Sequence, residues 1–349
     1  MKIKNRLLWA DILRILAIYL VVVLHSSLLP FNTSSDLTIA WPFIVSYAFA
    51  ETCVPIFVML SGALLLGKTE TYQIFFKKRV NKVLIPWVIW TLIYMLWNYN
   101  FHHQVASTVS EWKYFFEVTF LSQLWFLPLI FSLYLITPFL RFVASKLKVV
   151  DKVYLIVIWF IWVSILPALH SSPAFPGQLT LGLLPLAIYY SGYFFTGYIL
   201  SKLKFSKKMI LFSLGMVIVG ILFSFVEIFS AKNRALDLIY IITYFSPGTV
   251  IATIGVFSFI NNLFRNSFTV KNAGLRSLII SLSRASLGIY IVHELLKEIF
   301  DIYLNKYLLS YFVALPLLET YVHALIIFII SFIFVYLLKK VPLLRQIVP

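Results

Sequence analysis

The chain reads as ten apolar runs separated by short polar stretches. The runs lie near 8–30, 42–66, 82–100, 122–143, 153–170, 181–200, 209–229, 236–260, 281–301 and 316–338. Each holds about the 20 residues that a helix needs to cross a hydrocarbon core of roughly 30 Å. Backbone N–H and C=O groups have no water to bond in lipid, so runs of this length and polarity predict helices. The expected fold is all-α: a polytopic integral membrane helix bundle of about ten transmembrane helices. The first run follows MKIKNR and so imitates a signal peptide. It is longer than the usual h-region of about 7–15 residues and contains Arg14, so it is read as a retained helix.

The polar stretches alternate in charge. Lys2, Lys4 and Arg6 precede the first run, and Lys68, Lys77, Lys78, Arg79 and Lys82 follow the second. Arg141, Lys146, Lys148 and Lys152 follow the fourth; Lys202, Lys204, Lys207 and Lys208 the sixth; Arg265, Lys271, Arg276 and Arg284 the eighth. With Lys339, Lys340 and Arg345 these make 23 of the 29 basic residues on one side. The opposite loops hold only Lys113, Lys232, Arg234 and Lys306. The positive-inside bias then puts both termini in the cytoplasm. A missed or extra helix would scramble this alternation, so the charges also check the span count.

Composition agrees. Apolar residues are 61% of 349 and charged residues 12%, against about 25% charged in a soluble domain. The mean hydropathy is +0.94. With so little outside the bilayer, residues 1–349 are expected to form a single membrane-embedded domain with no appended extracytoplasmic domain. The net charge of +16 is spread over short loops, so it reads as topology and not as a nucleic-acid surface. A single cysteine, Cys53, excludes an intramolecular disulfide.

The informative residues are the polar ones inside the runs, because ionisable groups in a membrane are costly and face a bundle interior or a wet cavity. The first run carries Asp11, Arg14 and His25. Eleven residues separate Arg14 from His25, which leaves them within roughly 20° on one helix face and roughly 16 Å apart along it. Two polar groups on one face at two depths describe the floor and the top of one pocket. Asp11, three residues before Arg14, is placed to hold the guanidinium. Glu51, in the second run, lies at a depth from which it can orient His25 or pair with another intramembrane group. In the ninth run Tyr290, His293, Glu294, Lys297, Glu298 and Asp301 share one stripe. In the tenth, Glu319 and His323 are spaced i,i+4 and read as structural. Ser61 and Gly62 read as a close-packing pair. The pair His102 and His103 has no third ligand at suitable spacing, so no metal is expected.

Several segments, in order, resemble the membrane-bound acyltransferase 3 family. They are Asp11-x-x-Arg14 followed by His25; VPIFVMLSGALLLG (Val54–Gly67); FFKKRVNKVLIPW (Phe75–Trp87); QLWFLPLIFSLYLITPFLR (Gln123–Arg141); and SRASLGIYIVH (Ser283–His293). Within the family the chain resembles the single-domain enterobacterial common antigen O-acetyltransferases, which acetylate envelope polysaccharide. The resemblance covers Trp125, implies a helical His at His293, and implies a basic phosphate-binding motif over Arg79 and Lys82. Lys82 departs from the family's usual Arg there, which weakens two-point phosphate contact. The family pattern has no acid at Glu51.

These readings define an expected chemistry. A pocket running from Arg14 near the cytoplasm to His25 in the outer half suits a slender cytosolic thioester. Acetyl-CoA is the expected donor, its phosphates meeting Arg14, Arg79 and Lys82. The expected acceptor is a hydroxyl of an envelope polysaccharide or lipid-linked glycan at the outer face of a bacterial plasma membrane. His25 is the candidate general base. Glu51 and His293 are further catalytic candidates, and Asp11, Trp125, Ser61 and Glu294 supporting ones. The expected partners are acyl-CoA, a surface glycan or lipid-linked sugar and membrane lipid, with no metal and no nucleic acid, and the acyl group passes to its acceptor directly or through a separate protein. The rival reading is a transporter or flippase, for which polar groups in mid-membrane are equally expected.

Overall fold

A computed structural model of the protein describes residues 7–33, 37–101, 114–115, 118–119, 122–170, 183–203, 206–233, 243–266, 270–304, 316–342 and 344–349. Among them ten helical spans are long and apolar enough to cross a membrane, and there is no strand. The spans are Leu8–Ser27, Trp41–Leu65, Tyr72–Phe101, Gln123–Lys146, Val149–Ala168, Leu183–Lys202, Lys207–Ser230, Pro247–Arg265, Ala273–Tyr303 and Leu317–Leu338. The polytopic bundle expected from the apolar runs is therefore the observed fold. His102 and His103 lie outside the described residues.

Three spans differ from the sequence reading for local reasons. The second is two helices, Leu37–Ala50 and Cys53–Leu65, broken at Glu51 and Thr52. Pro55 causes the break, because a proline ring clashes with the carbonyl four residues earlier, here that of Glu51. Thr52 softens it by donating its hydroxyl to the Phe49 carbonyl at 2.8 Å. The third span starts at Tyr72, well before the apolar run. The basic stretch is itself helical, Tyr72–Arg79, and passes through one π turn at Val80–Leu84 into Ile85–Phe101. Arg79 therefore closes the first α-helical stretch and Lys82 lies within the π turn of one long helix. The ninth helix, Ala273–Tyr303, starts at an Asn272 cap whose side-chain oxygen accepts from the Leu275 N–H at 3.0 Å. At 31 residues it is about 46 Å long and overreaches the hydrocarbon core.

The first helix is the hub, packing against the second, eighth, ninth and tenth spans. In its most apolar stretch 61% of residues are buried, against 17% in the fifth and seventh spans, which present their faces outward. The second and sixth spans cross backbone to backbone. A Cβ on Gly62 would lie 1.7 Å from the Phe194 carbonyl oxygen, and one on Gly197 2.0 Å from that of Met59. Ser61 beside it donates to its own helix at Phe57, 2.9 Å away. The Ser61–Gly62 pair is thus a packing device, as small residues at membrane helix crossings commonly are.

The basic loops converge at one end of the bundle. Glu70 joins Arg79 to Arg141, Arg265 donates to the Ser201 carbonyl, and Lys339 donates to the Arg284 carbonyl. These contacts link the polar stretches after the second, fourth, sixth, eighth and tenth spans, the set that the charge alternation puts on one side.

Candidate functional site

The first and ninth helices lie side by side and run the same way, and two polar pairs rung them together. At the basic end Arg14 Nη1 donates to Ser283 Oγ at 2.9 Å and approaches Asp11 Oδ1 at 3.3 Å. Ser283 Oγ in turn donates to the same Asp11 oxygen at 2.6 Å. Asp11 is buried, whereas the Arg14 side chain keeps 27% of its surface open. Asp11 therefore holds the guanidinium, at the i,i+3 spacing read from the sequence. Ser283 was not anticipated as a partner, although it opens the SRASLGIYIVH segment.

Ten residues further along the ninth helix, His293 and Glu294 meet His25, eleven residues beyond Arg14. His25 Nδ1 lies 3.5 Å from Glu294 Oε2, and the two imidazole rings stand 5.1 Å apart. His293 is fully buried, with Nδ1 against the Tyr290 carbonyl at 2.7 Å. A carbonyl only accepts, so Nδ1 carries the proton and Nε2 is the bare nitrogen. That nitrogen faces Glu294 Oε2 at 3.9 Å, and neither atom has a hydrogen-bond partner among the described residues. Two acceptors confront each other with no proton between them. Lys297 Nζ donates to the other carboxylate oxygen, Oε1, at 3.0 Å. His25 keeps 21% of its side-chain surface open, and with Nδ1 turned to Glu294 its Nε2 is left for a substrate.

The third span steadies this face of the ninth helix. Tyr94 donates its hydroxyl to the Ile291 carbonyl at 2.9 Å and accepts from the Leu295 N–H at 3.3 Å. Trp97 Nε1 donates to Glu298 at 3.0 Å. Phe126 packs on Tyr290 with centroids 5.3 Å apart. Its neighbour Trp125 is half-buried between Tyr190 and Tyr244, 6.1 and 5.5 Å away. Trp125 is therefore one residue from the wall of the histidine cluster and outside its first contacts.

Of the two places open to Glu51, the structure sets it away from His25. It is buried at the helix break, and its electrostatic neighbours are Cys53, Tyr190, Tyr193 and Tyr244. The carboxylate facing His25 is Glu294, so the orienting role passes to that residue. His323 pairs with Asp301, not with Glu319.

The second basic cluster centres on Glu70, in the polar link between the second and third spans. Glu70 Oε1 accepts from Arg79 at 3.1 Å and from Arg141 at 3.3 Å, and Oε2 accepts from Lys78 at 3.1 Å. Both guanidiniums also lie over the Phe75 ring, 4.1 and 4.6 Å from its centre. Burial pushes the Glu70 carboxyl up, but Lys78, Arg79 and Arg141 outweigh it and hold the pKa at about 2. Tyr134 is within electrostatic reach of both Arg79 and Arg14, so it links the two basic sites. Lys82 is exposed on the π turn.

The ligand atoms of His25, His293 and Glu294 all lie within 4.8 Å of one another, a spacing that suits a metal as well as a proton relay. The Lys297 ammonium already pairs with the same carboxylate and raises the cost of a second cation beside it.

A ten-span bundle with an acid–base cluster between two of its helices defines a polytopic membrane protein with internal chemistry. The family model described as an acyltransferase domain, that of the acyltransferase 3 family, matches residues 7–340, and the chain belongs to that family. It is a membrane acyltransferase, which decides against the transporter reading. Comparisons with curated proteins and with solved structures found no match.

Proposed function

We propose that the protein is an O-acetyltransferase that moves the acetyl group of acetyl-CoA to a hydroxyl of an envelope polysaccharide or lipid-linked glycan, as the enterobacterial common antigen enzymes do. The orientation follows the charge bias, with both termini and the basic cluster in the cytoplasm of a bacterial plasma membrane. The observation that carries the reading is that the first and ninth helices hold part-exposed Arg14 at the basic end and the His25–Glu294–His293 cluster further along.

The donor's phosphates meet the part-exposed Arg14 guanidinium and the exposed Lys82. Arg79 contributes less, because Glu70 already neutralises it. The pantetheine arm then runs along the first helix to His25. A sugar hydroxyl is a poor nucleophile until its proton leaves, and His25 Nε2 takes that proton. Glu294 holds the ring through Nδ1 and stabilises the imidazolium that forms, the part a carboxylate plays beside a catalytic histidine. His293 Nε2, bare and fully buried, is the second place where that proton rests.

The test is mass spectrometry of envelope glycans from cells with and without the gene. The expected difference is one acetyl group per modified residue. Glycans of identical mass would remove the acceptor reading, and a heavier acyl group would correct the donor.

A further inference from the structure

A second hydrogen-bonded chain lies next to His25 and has no part in the chemistry so far. His323 on the tenth helix is buried, and both its ring nitrogens are engaged. Nε2 meets Asp301 Oδ1 of the ninth helix at 2.8 Å, and Nδ1 meets Ser26 Oγ of the first helix at 3.0 Å. An ionised carboxylate only accepts, so Nε2 carries the ring proton. In the neutral ring Nδ1 is then the lone-pair nitrogen, to which Ser26 donates. Ser26 is also unlike other helical serines of this chain. Ser27, Ser46, Ser61 and Ser132 each give their hydroxyl proton to a carbonyl of their own helix, at 2.7 to 3.0 Å. Ser26 gives its proton to an imidazole that a carboxylate orients. That is the arrangement by which a hydroxyl becomes a nucleophile.

We propose that Ser26 is a covalent acyl carrier, activated by His323 with Asp301 as its positioning residue. The proposal rests on the thioester donor above. Ser26 Oγ attacks the thioester carbonyl as its proton passes to His323 Nδ1. The C–S bond breaks, and the CoA thiolate leaves and takes that proton from His323. An ester on Ser26 remains. The acceptor hydroxyl then attacks the ester carbonyl and yields its proton to His25, the C–Oγ bond breaks, and the departing Ser26 Oγ takes that proton from His25, which restores both groups. Thioester and alcohol become ester and thiol, with no other reactant. The carrier sits one residue beyond His25 on the helix that also carries Arg14. The acyl group can therefore leave its large anionic donor before it meets the acceptor. The Asp301 side chain keeps 29% of its surface open, so the far end of the triad is approachable.

The full-length protein in nanodiscs is incubated with acetyl-CoA and no acceptor, quenched in acid, and read by intact mass and peptide mapping. CoA binding and thermal stability are measured on the same samples. Wild type is expected to gain one acetyl group on Ser26. Ser26→Ala is expected to bind CoA, lose the adduct and lose transfer; Ser26→Cys restores an adduct as a thioester. His323→Gln should slow adduct formation by about 10²-fold or more, and Asp301→Asn should move its pH profile, which a purely structural tie would not do. Transfer at the wild-type rate by Ser26→Ala, or an adduct mapped to His25, overturns the carrier and leaves the donor reading intact. Failure of wild type to bind CoA overturns the donor reading itself and shows in the binding arm.

Discussion

The two charged clusters of this protein are built to opposite standards. Around Glu70 every strong group is answered. One carboxylate meets two guanidiniums and an ammonium, and an aromatic ring covers both guanidiniums. Around Glu294 the groups are brought close and left incomplete, with a bare nitrogen and a bare oxygen facing each other in a buried site. Burying polar groups without partners costs roughly 1–3 kcal/mol each. The first cluster ties the ends of three spans together, and the pairing of all its charged groups through one carboxylate makes it a fastening. The second retains an energetic cost that only a proton or a substrate relieves, as expected where chemistry happens.

If this contrast is right, substitutions in the two clusters fail in different ways. The largest effect is expected from Glu294→Gln, which keeps the shape and removes the charge that stabilises the imidazolium. Transfer should fall by about 10²–10⁴-fold with little loss of stability, read by steady-state rates beside thermal unfolding. Arg14→Ala should come next, weakening acetyl-CoA binding by about tenfold or more, the loss of a charge-assisted hydrogen bond. Arg14→Lys should recover part of it, because charge is kept and the planar fork is lost. Isothermal titration with an unchanged affinity for Arg14→Ala would remove Arg14 from the donor site.

Glu70→Gln tests the fastening. It should cost about 1.5–3 kcal/mol of stability, the value of hydrogen bonds to a charged group, while the rate per folded molecule changes little. The smallest effect is its pH dependence. The carboxyl is held at about 2 against an ordinary 4.5, so its contribution is fully present above 4.5 and is lost as pH falls through about 2. Wild type should lose this increment across that window, and Glu70→Gln should not.

The sequence carried the fold well because lipid imposes length and polarity on each span, and the charge alternation fixed their number. It erred where a local cause outweighed hydropathy: Pro55 breaking the second span at Glu51, and a basic stretch continuing the third helix through a π turn. The site was half legible. Arg14 and His25 share a face, and the matching interval from Ser283 to His293 lies in one segment that had already stood out. What one-dimensional periodicity could not supply was the partner across the gap. Glu51 and Glu294 are both acids within spans, and only the packing of the first helix on the ninth puts Glu294 at His25. Ser26, Glu70 and Arg141 carry signals that become readable only with their neighbours in place. Glu70 alone gave a hint, as a single acid within a basic loop.

The most direct measurement is made on purified His25→Ala. The account places His25 in proton transfer, a full pocket length away from the phosphate site at Arg14. The variant should unfold at the wild-type temperature, bind acetyl-CoA with near wild-type affinity, and give no acetylated glycan. A protein that melts early yet acetylates normally when cold would make His25 a packing residue and contradict the account.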